Sequence, residues 1–238
     1  MLFGRNVLKF VLSLRFLHPQ SYILTPPSLM SLLDQLNWRY ATKIFDTQKK
    51  IPQDQLDQLL ETLRLSPSSY GLQPWKFVLV KNPEIRAKLR EAAWGQAQVT
   101  DASHFLVFCS MTNVSSETVE HYAKEIAETR GTPLVELEGF KNMMLDFVKG
   151  KTPEFLSTWA GKQVYITLGT LLTSAAVMQI DACPMEGFDN AKFDEILGLK
   201  EKNLHAEVVC ALGYRSPEDK YASAKKVRES KAEKFIEV

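Results

Sequence analysis

The segment WAGKQVYITLGTLLTSAAVMQI, Trp159 to Ile180, is apolar on nearly every face. Lys162, Gln163, Thr167, Thr170 and Thr173 interrupt it too often for a membrane span, so it reads as a helix buried by other helices or by a second subunit. Such a helix needs a sizeable core around it, and 238 residues with 45% hydrophobic content supply one large domain. HFLVFCSM, His104 to Met111, is a continuously apolar strand of the kind found in mid-sheet, and HAEVVCALGYR, from His205, is another. PWKFVLV, Pro74 to Val80, is short, aromatic and β-branched, which predicts a third strand. Few strands, spread far apart among many helices, fit an α+β domain whose sheet is covered on both faces.

The helices announce themselves by caps and period. Ser31 stands three residues before Asp34 as in a capping box, with Leu32, Leu33, Leu36 and Tyr40 expected on one face. Pro52 opens a helix carrying Leu56, Leu59, Leu60 and Leu63 at helical spacing, and Pro83 opens one through Ile85, Leu89 and Ala93. Ser116 to Arg130 and Val135 to Lys149 are helical on either side of the Gly131-Thr132-Pro133 break. FDNAKFDEILGLK is a helix with Gly198 near its end. Between them, CPMEGFD, Cys183 to Asp189, reads as a turn shaped by Pro184 and the permissive backbone of Gly187. Its Glu186 is open to three readings: catalytic acid, metal ligand, or bystander in the turn.

Composition removes several function classes. The 29 Lys and Arg against 28 Asp and Glu leave a formal charge of +1, too little to attract nucleic acid or an acidic membrane, so any basic cluster acts locally. Cys109, Cys183 and Cys210 form no CxxC pair, and two of them sit inside apolar runs. They read as buried hydrophobes of a reducing, cytoplasmic compartment. The four histidines have no ligand spacing, so no metal site is expected. GxGxxG, GxxxxGK[ST], GxSxG and HExxH are all missing. Residues 1–29 are basic and apolar but broken by Lys9 and Arg15; they read as an N-terminal extension, poorly ordered or outside the fold, before a domain at 30–238. A weak signal or interfacial segment is the alternative.

Seven fragments occur in order: Arg39-Tyr40-Ala41-Thr42-Lys43, SPSSYGLQPWKF from Ser66, Gln96-Ala97-Gln98 before DASH, GKQVYITLG from Gly161, CPMEGFD, GLKEK from Gly198, and Lys226-Val227-Arg228. Together they resemble the nitroreductase family of flavin mononucleotide enzymes, closest to the oxygen-insensitive NAD(P)H nitroreductases, also described as dihydropteridine reductases. The resemblance covers residues 30–238. It implies a central, mainly antiparallel sheet flanked by helices in an intertwined homodimer, with FMN bound at the interface. It also implies a ping-pong hydride transfer from NADPH or NADH to a small-molecule acceptor, a nitroaromatic, quinone or pterin, with no nucleic-acid or membrane partner.

The resemblance assigns roles residue by residue. Arg39, Lys226 and Arg228 would converge on the phosphate, Arg by its planar fork and Lys as a point charge. Tyr40 and Ala41 accompany them, and Lys43 lies near the ring, where positive charge favours the reduced state. Gln98 would reach the pyrimidine or ribityl part, with Gln96 standing in for the asparagine that relatives carry where this chain has Gly95. Pro67, Ser68 and Ser69 would reach across to the other subunit's flavin. Pro184 and Gly187 shape the turn, in which the backbone N–H of Glu186 or Gly187 faces flavin N5. Met144, Leu145 and Phe147 would cover the substrate channel, with Met143 beside them. Other flavin reductions on the same scaffold, or a non-catalytic flavin-binding protein, are the competing implications.

Overall fold

The computed structural model describes residues 31–238, and the expectation for 1–29 lies outside them. Its sheet has four strands: β1 (Trp75–Leu79), β2 (His104–Met111), β3 (Asp181–Met185) and β4 (Leu204–Gly213). They lie in the order β1-β2-β4-β3 with every neighbouring pair antiparallel. The helices are α1 (Leu32–Trp38), α2 (Gln53–Arg64), α3 (Pro83–Ala92), α4 (Gln98–Asp101), α5 (Ser116–Arg130), α6 (Glu138–Lys149), α7 (Pro153–Val177), α8 (Asn190–Leu197) and α9 (Lys231–Lys234).

Period two in β2 decides the layers. Leu106 and Phe108 point at α2 and α7, joining Leu56, Leu59, Leu63, Val164 and Leu171 in one buried cluster. Phe105, Val107 and Cys109 point the other way, onto Leu89, Val99 and Phe193 of α3, α4 and α8. Both faces are covered, as the unbroken apolar runs require. The β2–β4 register slips between Phe108, opposite Val208, and Cys109, opposite Ala206. Glu207 is therefore the extra residue of a β-bulge, and its carboxylate accepts a 2.7 Å bond from the Ser110 hydroxyl.

The long helix is real but begins at Pro153, behind the Thr152 cap, and stops at Val177. Its threonines are compatible with burial because each hydroxyl donates back to its own helix: Thr167 to the Val164 carbonyl, Thr170 to that of Ile166, and Thr173 to that of Gly169. Gln179 then takes a left-handed φ of 57° and Ile180 N bonds to the Ala175 carbonyl at 2.8 Å, which turns the chain into β3. Phe155, Tyr165, Ile166 and Val177 remain exposed on this helix.

Two expectations are corrected. In α1 the buried residue is Gln35, bonded to the Gln179 amide, while Leu32 and Leu33 face outward. Cys183-Pro184-Met185 is not a turn: it is strand, paired with Ala211, Cys210 and Val209. Proline is admissible there because β3 is the edge strand, where a missing N–H breaks no inner ladder. The turn is confined to the residues that follow.

β3 is anchored by Asp181, only 4% exposed. It accepts from Arg215 N and Arg215 Nε, both at 2.8 Å, and from the Thr42 hydroxyl at 3.3 Å. The Arg215 guanidinium lies 4.2 Å from the Trp38 ring centre and 4.6 Å from that of Tyr40. Removing one partner of such a pair strands the other in the interior. Asp181→Ala is expected to lower the unfolding free energy by about 3 kcal/mol or more in urea titrations at unchanged m-value.

Candidate active site

After α1 the chain runs extended along the outer edge of β3, where Ala41 forms a parallel bridge with Ala182. The segment after β4 returns across it: Ser216 N donates to the Ile44 carbonyl, and Phe45 bridges Arg215. Asp219 clasps the two. Its Oδ2 accepts from the Tyr40 hydroxyl at 2.9 Å, Lys43 N at 2.7 Å and Ile44 N at 3.1 Å, and its Oδ1 accepts from Tyr221 N at 3.0 Å. Further on, the Lys226 ammonium donates to the Arg39 carbonyl.

Between these segments lies a cavity of about 390 Å³, walled by Arg39, Tyr40, Ala41, Lys43, Lys225, Lys226 and Arg228 with no carboxylate among its lining residues. Arg39 and Lys43 thus line the same cavity as Lys226 and Arg228, far away in sequence. Burial and the neighbouring Arg228 lower the pKa of Arg39; burial, Arg39 and Arg228 lower that of Lys226. Arg39 Nε is buried with no hydrogen-bond partner among the described residues. Mutually repelling cations around an unpaired buried donor make a site for an anion.

Strand β3 leads from this cavity to the turn Glu186-Gly187-Phe188. Glu186 is four positions beyond Ala182, roughly 13 Å at strand rise. Lys43 lies along the way, since its charge and that of Arg39 pull down on the Cys183 thiol, which burial nevertheless pushes up. The turn is pinned by Gln96, whose amide donates to the carbonyls of Gly187 at 2.6 Å and Ala93 at 3.1 Å. Gly187 has no left-handed φ. What it needs is smallness, because a Cβ there would stand 3.0 Å from the Trp94 ring. The Glu186 carboxylate is not idle: it accepts from the Tyr165 hydroxyl of α7 at 2.5 Å, and burial, that bond and Glu207 push the phenol's pKa upward.

Other assigned residues fall elsewhere. Tyr40 has its hydroxyl committed to Asp219, with a pKa pushed up to about 12 by burial and that carboxylate, so only its ring and backbone face the cavity. Gln96 holds the turn through its side-chain amide, and Gln98 is buried at the start of α4. Pro67, Ser68 and Ser69 are outside the cavity lining; Ser68 Oγ accepts from Gln73 N and Ser69 N donates to Gln163 Oε1, both at 2.9 Å. Met144 is fully buried in one cluster with Leu72, Val119 and Leu156. Leu145 is half-buried against that cluster, as is Phe147, whose ring lies 5.1 Å from Tyr70 and 5.3 Å from Trp159. Met143 is exposed. Asp219, Tyr165 and Trp94 were not anticipated; only Asp219 carries a local signal, as a turn-forming residue in SPEDK.

Residues 36–214 match the model of the nitroreductase family. The chain belongs to that family. Two relatives carry the name "Putative NAD(P)H nitroreductase". YfkO of Bacillus subtilis is 41% identical over 206 residues, 81% of this chain and 93% of its own, and SSP0379 of Staphylococcus saprophyticus is 40% identical over 198 residues, 80% of this chain and 90% of its own. A protein from Exiguobacterium sibiricum solved in complex with FMN superposes with a TM-score of 0.75 at 18% identity, covering 87% of this chain and 97% of its own. The antiparallel sheet flanked by helices is thus the nitroreductase fold. No helix of the described residues is long and apolar enough to cross a membrane.

In this nitroreductase-family chain the clasp is acid-sensitive. Burial works to raise the Asp219 pKa, but the amides of Ile44, Lys43 and Tyr221 and the Tyr40 hydroxyl outweigh it and hold the carboxyl below its usual range. A depressed pKa contributes stability that is complete above the unfolded value of about 3.9 and fades as pH falls through the folded one. Asp219→Asn is expected to cost about 2 kcal/mol at pH 7 and progressively less below pH ~4, measured by chemical unfolding across pH. Residues 216–228 should also become cleavable in limited proteolysis.

Proposed function

We propose that this chain is an FMN-dependent NAD(P)H oxidoreductase of the cytoplasm that reduces nitroaromatics, quinones or pterins two electrons at a time in a ping-pong cycle. The observation that supports the reading is a cavity walled by five cationic side chains at one end of a strand-long track, one of them Arg39, whose buried Nε has no hydrogen-bond partner among the described residues. A ligand with an anionic end and an extended remainder fits that track, and FMN is such a molecule. When bound, FMN supplies the hydride chemistry, accepting from NADPH or NADH and passing the electron pair to the acceptor.

The chain's own residues do the rest. Arg39, Lys226 and Arg228 hold the phosphate, Arg39 through the donor that lacks a partner. Tyr40 and Ala41 form the wall beside it, and Asp219 keeps the wall in place without presenting its charge. Lys43 sets a positive potential along the track, which favours added electrons. The backbone N–H of Glu186 or Gly187, in a turn held by Gln96, Tyr165 and the end of β3, would serve the ring of the bound flavin. Gln98 approaches the polar edge from α4. No general acid is assigned, because placement of two flat rings at reacting distance is the principal contribution.

The site is completed by a second copy. Phe155, Tyr165, Ile166 and Val177 leave an apolar face of α7 uncovered, the composition of a homodimer interface. Pro67, Ser68 and Ser69, distant from the cavity of their own chain, would serve that of the partner, with Leu145 and Phe147 covering its channel.

Three measurements test this. Arg39→Ala is expected to weaken FMN binding at least tenfold in flavin fluorescence titrations, a charge-assisted contact being worth that much. Lys43→Ala is expected to slow flavin reduction by NADPH in stopped flow; an unchanged rate would remove Lys43 from the mechanism. Glu186→Gln should retain reduction, since its part is played by the backbone and a glutamine oxygen still accepts from Tyr165.

A further inference from the structure

Four tryptophans occur in the chain. Trp75 is buried, Trp38 lies under Arg215, and Trp159 packs on Phe147, whereas Trp94 is 72% exposed. Its backbone is left-handed, with φ 54°, a conformation a bulky side chain rarely adopts. The strain is maintained by a closed set of bonds: Trp94 N to the Glu91 carbonyl, Gly95 N to that of Arg90, Gln96 N to that of Ala93, and Arg90 Nε to the carbonyl of Gly95. Gly95 follows with φ 75° and open space where a side chain would stand. The outcome is an indole fixed against Gly187, in the turn assigned to the reacting end of the site, with its remaining surface in solvent.

We propose that Trp94 is a specificity-determining residue, offering its indole as a wall on which the flat ring of a reactant stacks beside the Glu186-Gly187 turn. The proposal rests on the reading of this site as a flavin reductase. Three observations point to ligand contact rather than to folding. The six-membered ring approaches Gly187 while the side chain is 72% exposed, an exposed indole gains little for the core of this chain, and a left-handed backbone is sustained to hold it there. The recognised chemistry is a planar π-system, which either the acceptor or the nicotinamide of the donor can supply.

The test uses the FMN-loaded enzyme and the variants Trp94→Ala, Trp94→Leu and Trp94→Phe, with menadione and nitrofurazone as flat acceptors and ferricyanide as a non-planar one. Expected for Ala and Leu is a rise in the ratio of KM for the flat acceptors to KM for ferricyanide on the order of tenfold, with Phe restoring most of it. The Kd of 2-naphthoate, a flat ring that cannot be reduced, read from the bound-flavin spectrum, should rise in parallel. If KM for NADPH rises instead, by the same order and with the same rescue by Phe, the stacked ring is the nicotinamide and the proposal stands. It is overturned if Leu performs as well as Phe, if all constants stay within twofold of wild type, if ferricyanide is affected equally, or if the variants elute at a different size from wild type in gel filtration. A wild-type preparation that holds no flavin would instead refute the flavin-reductase reading itself, and is visible before any variant is made.

Discussion

One carboxylate ties together the two segments that wall the cationic cavity. Asp219 receives hydrogen bonds from a tyrosine hydroxyl and two amides of the 40–44 segment, and from the amide of Tyr221 in its own turn. Those bonds join a stretch near the start of the described chain to one near its end, and the five cations that wall the cavity come from both. Repulsion among Arg39, Lys226 and Arg228 would drive the two stretches apart. The clasp opposes it with a group that is itself fully hydrogen-bonded, so its negative charge neither attracts water inward nor competes for the site's anion.

The edge of the sheet has an equally specific role. An edge strand exposes unpaired backbone, which folded proteins cover or cap. Here the 41–42 segment lies along β3, and Asp181 ties it down through Thr42 and Arg215. The result is a straight track with a cationic cavity at one end and a tight turn at the other. Pro184 suits the edge, and Gly187 suits a turn that an indole approaches closely. In the proposed function, charge recognition and reaction geometry would be separated by the rise of a single strand.

Much of the fold was legible locally. The cap at Ser31, the prolines at the starts of α2 and α3, and the period-two and period-3.6 patterns lie within a few residues of the elements they specify. The readings that failed depended on distant neighbours. Leu32 and Leu33 looked like a core face, yet Gln35 is buried because Gln179 meets it from 144 residues away. β3 was hidden because its proline resembles a turn signal unless the strand is known to be an edge.

The site divides the same way. The sequence alone determined which residue types were present, two basic pairs and a short turn after an apolar run, together with the family they resemble, because those are properties of neighbouring residues. Only the tertiary structure decided that Lys226 reaches Arg39 across 187 positions and Tyr40 reaches Asp219 across 179. It also decided that Tyr165 holds Glu186 and that Trp94 stands over Gly187. Such contacts follow from strand order and register, which set distances between residues that no local pattern connects.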